Sequence, residues 1–138
     1  MSGSAPASSR SRREARERAI ELAYEAETRS IGVAELLADL AITPDPFTVA
    51  LLRAAEEHRV EAEALISELS SGWPLARMPT IDRLVMRMAV AEMMTMETPR
   101  GVVLSEAVEL ASRYSTDESG RFVNGVLAAA SRSLPAPG

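Results

Sequence analysis

The chain has 138 residues, 46% apolar and 25% charged, an ordinary globular composition with enough length for one domain around a real core. It carries a net charge of −5 and no cysteine, which excludes disulfides and thiolate chemistry and fits a reducing compartment. No apolar run approaches the ~20 residues that cross a bilayer, and no apolar segment follows the N-terminal arginines as a secretory signal would require.

The charge is uneven. All 15 basic residues are arginine. Residues 1–18 carry +3, with Arg10, Arg12, Arg13, Arg16 and Arg18 against Glu14 and Glu17, and the remaining chain carries −8. A basic arm on an acidic body points to a local polyanion contact. A solvated helix start accounts for the same arginines equally well.

Residues 1–9, small and polar with a proline and a glycine, read as a disordered tail. A helix follows from Ser11, with Ala15, Ala19, Leu22, Ala23 and Ala26 at helical spacing. Arg12 and Arg16 share one face of it, and Arg13 flanks them. Ile31-Gly32 breaks this helix. Val33, Leu36, Leu37 and Leu40 predict a short second one, and Thr43-Pro44-Asp45-Pro46 a linker.

A third helix is expected as one piece from Phe47 to about Ser70, its apolar stripe running through Leu51, Ala54, His58, Ala62, Leu65 and Leu69. Glu56, Glu57, Arg59, Glu61 and Glu63 form its solvated side. Ser71-Gly72-Trp73-Pro74 ends it. A fourth helix runs from Thr80, read as its N-cap, to Met96, with Asp82 in the first turn where the macrodipole favours an acid. Pro99 and Gly101 separate it from a fifth, Val103 to Ser115, and a last helix spans about 119–132. No segment alternates over a strand length, so the fold class is all-α, with short amphipathic helices packed face to face.

Asn124-Gly125 is a hairpin signal in an unusual place. Phe122, Val123, Val126, Leu127 and Ala130 hold helical spacing straight through it, so Gly125 is expected mid-helix, at a cost of about 1 kcal/mol relative to Ala. Close approach of another helix backbone is the expected compensation. Asn124 then ties a neighbouring loop or sits on the surface.

Catalytic chemistry has no visible carrier. There is one histidine, His58, on an apolar stripe, where a packing role outweighs a ligand role. Nucleophile-elbow and phosphate-loop patterns are absent, and carboxylates fall mostly on outer helix faces. The expectation is no enzyme, no metal and no cofactor. Met86, Met88, Met93, Met94 and Met96 crowd one helix and read as core filling rather than as an adaptable groove.

Three stretches resemble the NusB family of transcription antitermination factors. They are Arg12-Arg13-Glu14-Ala15-Arg16-Glu17 with Ala19 and Leu22-Ala23-Tyr24; Ile81 to Arg87 with Ala89 and Glu92; and the run from Val102 to Leu127 that ends in Phe-Val-Asn-Gly-Val-Leu. They stand in the family's order and spacing over about residues 11–130. The resemblance implies a compact fold of two small helical bundles, six to seven helices in all. One domain is expected over 10–134, with halves 10–72 and 73–134 and a tail at 135–138.

The resemblance also implies a function. NusB-like proteins bind boxA-type single-stranded RNA together with NusE, a small-subunit ribosomal protein, and act on the RNA polymerase elongation complex in the cytoplasm, chiefly in rRNA operons. Arg12, Arg13, Arg16, Arg121 and Phe122 then become candidate RNA contacts, through forked phosphate bonds and ring stacking. Phe122 suits core packing equally well. Tyr24, Asp82, Arg87 and Glu118 become candidate partner contacts, and Arg87 could instead pair internally with Glu106. Monomer and homodimer both stand open. The positive footprint is thin: Ser105 and Ser112 stand where Asn and Lys are frequent in the family. A protein-only helical adaptor is therefore the rival reading. A NusB-like domain joined to an rRNA methyltransferase is a further rival, but 138 residues leave no room for the cofactor domain.

Overall fold

The computed structural model describes residues 9–136. The expected N-terminal tail lies outside them except for Ser9, which opens the first helix, and residues 137–138 of the C-terminal tail lie outside as well. The described residues form seven α-helices, α1 (Ser9–Arg29), α2 (Val33–Asp39), α3 (Pro46–Glu57), α4 (Arg59–Leu69), α5 (Thr80–Thr95), α6 (Arg100–Tyr114) and α7 (Asp117–Ser133), with one 3-10 turn at Leu75–Arg77.

Local chemistry sets the ends. Ser30 adopts φ 55° just past α1, its N–H donating to Glu27 O at 3.2 Å and that of Ile31 to Ala26 O at 3.0 Å. This pair of bonds satisfies the last carbonyls of α1 and turns the chain at Ile31-Gly32. Glu56, expected to be merely solvated, accepts the Val33 N–H at 2.9 Å and so caps α2 from another helix. Asp45 caps α3, accepting from Phe47 N–H at 2.7 Å, with Pro46 at the first helical position.

The single helix expected over Phe47 to Ser70 is two helices. The bend falls at His58, at φ −104° and ψ 21°. Its N–H still reaches Ala54 O and its carbonyl still accepts from Ala62 N–H, both at 2.9 Å, so the turn leaves those two backbone bonds intact. The bend lets α3 pack on α1 and α5 while α4 packs on α5 and α7. His58 is half-buried and its Nδ1 lacks a hydrogen bond, with a Glu61 carboxylate oxygen 3.6 Å away.

Helix α5 is the centre. Eleven of its residues are buried, so it is enclosed nearly all round, and it packs against α1, α3, α4, α6 and α7. The N-terminal and C-terminal helices thus share one core. Met86, Met88 and Met93 lie inside it, as core filling requires. Each fully buried Leu, Ile or Met contributes about 1.5–3 kcal/mol. Thr80 is the first helical residue rather than the cap: Pro79 holds the cap position and no side chain caps there.

Helices α6 and α7 form a tight antiparallel hairpin. Thr116 caps α7 by accepting from Ser119 N–H at 3.0 Å. At the other end Arg100 donates to the carbonyls of Ser131 and Leu134, both at 2.7 Å, and to that of Pro135. This satisfies acceptors that α7 leaves open.

Asn124-Gly125 lies within α7, as the periodicity required. The expected reason for the glycine is wrong. Both residues are exposed, and a Cβ at Gly125 would meet no heavy atom within 4 Å. The close approach belongs to Gly120 instead, where a Cβ would collide with the Ser112 hydroxyl and lie 3.6 Å from Val108 O.

Candidate nucleic-acid interface

The N-terminal arginines do not act as a uniform basic stripe. Arg12 is exposed, and its guanidinium carbon lies 4.0 Å from the centroid of the Phe47 ring. Arg13 closes a fork on Glu106 of α6, with bonds of 3.0 and 3.2 Å that hold its pKa above the usual arginine value. Arg16 points inward. Only 7% of its side chain is exposed, and it forks onto the equally buried Glu92 of α5 at 2.6 and 3.3 Å. Arg16 was a candidate RNA contact; its donors are committed to an interior carboxylate.

The ion pairs also orient the helices. Arg16 meets Glu92 while Glu27 meets Arg83 at 3.1 Å, so α1 runs antiparallel to α5. Arg13 meets Glu106 while Glu17 meets Arg113, so α1 runs parallel to α6. Tyr24 stays exposed further along α1.

A second group sits at the start of α7. Glu118 and Arg121 are exposed there. Phe122 is half-buried, its ring 4.7 Å from that of Trp73 in an edge-on arrangement at 66°, so packing and surface roles meet in one side chain. The two groups are apart. Glu92, beside the arginines, and Asp82, beside the α7 start, are ten residues distant along α5, a rise of about 15 Å.

Asp82 and Arg87 are not surface groups. Asp82 is 1% exposed. Burial raises its pKa above the usual carboxyl value, against the opposing pull of the Ser119 and Ser115 hydroxyls, and its Oδ1 has no partner. Arg87 is buried and does not pair with Glu106. It donates to Glu63 at 2.8 Å and lies 3.7 Å from Glu27, binding α5 to α4 and α1. Burial and the nearby Arg59 lower the Arg87 pKa, while Glu63 and Glu27 oppose them. Burial also pushes the Glu27 carboxyl up, but Arg83, Arg87 and Arg59 together outweigh it and hold it low.

Phe47, which sequence reasoning placed only on an apolar stripe, joins the arginine group. Its position directly after the Pro44-Asp45-Pro46 linker predicted a helix start, but no local signal announced the two arginines above it. Among the described residues no three His, Asp or Glu converge as a metal site. No described helix is long and apolar enough to cross a membrane.

The NusB family model matches residues 13–132. The chain belongs to the NusB family. A Transcription antitermination protein NusB from Acidothermus cellulolyticus is 46% identical over 123 residues, covering 86% of this chain and 85% of the relative. The solved structure of T. maritima NusB superposes with a TM-score of 0.80 at 31% identity, covering 91% of this chain and 93% of that one. A chain from a crystal structure of antitermination factors NusB and NusE in complex with dsRNA superposes at 0.77 with 26% identity, covering 92% of this chain and all of that one. The NusB family consists of transcription factors rather than enzymes.

Proposed function

We propose that this NusB-family protein is a cytoplasmic antitermination factor that binds boxA-type RNA together with NusE and promotes read-through by RNA polymerase, chiefly in rRNA operons. The observation that carries this reading is Arg12, an exposed cation with no carboxylate partner among the described residues, in a fold that matches a NusB solved with NusE and RNA. Arg12 is the first phosphate contact, and Arg13 joins it by exchanging Glu106 for phosphate. Arg121 and the exposed edge of Phe122 form the second contact at the α7 start. Tyr24 and Glu118 face NusE. Arg16, Asp82 and Arg87 support these surfaces from inside.

The reading predicts modest RNA affinity alone, strengthened by NusE and falling steeply with salt. A titration of boxA-type RNA with and without NusE, at two salt concentrations, tests it. Absent binding in every condition, with NusE still bound, overturns it in favour of the adaptor. That second reading is favoured by one observation: Glu106 and Glu92 already engage two of the three α1 arginines offered as RNA contacts. A run-off assay through a terminator tests the polymerase step, and sedimentation decides between monomer and homodimer.

A further inference from the structure

Four arginines of α1 upstream of Ala19 have described side chains, and three of them have carboxylate partners: Arg13 on Glu106, Arg16 on Glu92 and Arg18 on Glu21. Arg12 alone has an aromatic ring instead, with Phe47 4.0 Å beneath its guanidinium carbon. Arg16 reaches the same ring at 5.0 Å. The backbone that carries the ring is held from two directions. The Phe47 N–H is fixed by the Asp45 carboxylate at 2.7 Å. The next residue, Thr48, is fully buried and donates its hydroxyl to Ala15 O at 2.8 Å, which ties the first turn of α3 to the α1 backbone between Arg12 and Arg16.

We infer that Phe47 is a positioning residue of the RNA site, holding the Arg12 guanidinium over its ring with the N–H edge free for a phosphate. The inference rests on the RNA reading above. The physical reason is that a long cation loses rotamer freedom when it binds, and a ring that restrains it beforehand removes part of that loss from the association step. The attraction is electrostatic, between the cation and the electron-rich ring face, so an aliphatic side chain of similar size does not replace it. Phe47 itself touches no RNA.

The test is a double-mutant cycle read by anisotropy of a labelled boxA-type RNA in the presence of NusE. Phe47→Leu is expected to weaken binding about two- to fivefold, the range of an exposed cation–ring contact. Phe47→Trp should restore it, and NusE binding without RNA should not change. In the Arg12→Ala background, Phe47→Leu should have no further effect. Phe47 is half-buried, so melting temperatures are recorded for every variant; the cycle cancels any shared packing loss. A separate readout needs no RNA: the Arg12 Nε–H resonance should lose its upfield ring-current shift in Phe47→Leu. Equal RNA affinity of Phe47→Leu and wild type overturns the inference, as does an undiminished Phe47→Leu effect without Arg12. A wild-type protein that binds no RNA overturns the RNA reading itself, and this inference with it.

Discussion

Arg16 and Glu92 close a two-bond fork at 2.6 and 3.3 Å, with 7% and 2% of their side chains exposed. This pair pins α1 to the central helix. Removing one member of a buried pair leaves an uncompensated charge in the interior, which costs about 3–5 kcal/mol. Arg16→Ala should therefore lose that much in chemical denaturation, whatever RNA does. The double variant Arg16→Met with Glu92→Leu should recover most of it. A single-variant loss below about 1 kcal/mol would mean the pair is not the pin. An RNA-binding test of α1 should accordingly use Arg12 and Arg13 and leave Arg16 in place.

Glu106 holds Arg13 by the same kind of fork, but Arg13 is 45% exposed and its partner 15%. An RNA phosphate must displace Glu106 to use Arg13 fully. Glu106→Gln keeps the shape and removes the competing charge. Its RNA affinity should rise by about two- to fivefold, the range open to an exposed ion pair. In an Arg13→Ala background the gain should vanish. A fall in affinity would show instead that Glu106 prepares Arg13 for RNA.

The helices were legible because apolar spacing and turn chemistry are local. Ser71-Gly72 ends α4 with positive φ angles of 55° and 83°, and those residue types announce it. The bend at His58 was hidden because the apolar stripe from Phe47 to Leu69 keeps helical spacing across it; tertiary packing of α3 and α4 decides the break. Arg16 was misplaced for a related reason. A charged residue reads as surface unless its partner is visible, and Glu92 lies 76 residues away in sequence. The Arg87 carboxylates, Glu63 and Glu27, were hidden in the same way. Resemblance pointed to the exposed Tyr24, Glu118 and Arg121, but it also pointed to Asp82, whose burial only the packing of α7 on α5 determines.

The two glycines of α7 should respond in opposite directions. Gly125 faces open space, so Gly125→Ala should stabilise the protein by about 1 kcal/mol, removing the backbone entropy cost of glycine mid-helix. Gly120→Val should destabilise it by about 1–3 kcal/mol, because Ser112 and the α6 backbone occupy the space a larger side chain needs. Thermal unfolding of both variants checks this. Destabilisation by Gly125→Ala would mean that something other than packing selects glycine there.

Asp82 gives the protein a pH dependence opposite to that of an ion-paired acid. Burial raises its folded-state pKa above the ordinary value near 3.8, since the charged form is poorly solvated beneath the Ser115 and Ser119 hydroxyls. The folded state therefore holds its proton more tightly than the unfolded state does. Below the unfolded value both states are protonated and the stabilising contribution is fully present. It is lost as pH rises through the folded value, because the unfolded carboxyl ionises freely and the folded one ionises at a cost. Asp82→Asn keeps the shape and a hydrogen-bonding group for the serines but cannot ionise. Its melting temperature should exceed that of the wild type at pH 7, and the difference should shrink toward pH 4. Thermal unfolding across that range reads the effect directly. A constant offset at every pH would show that Asp82 ionises in the folded protein as easily as in water, and that its unpartnered oxygen carries no penalty.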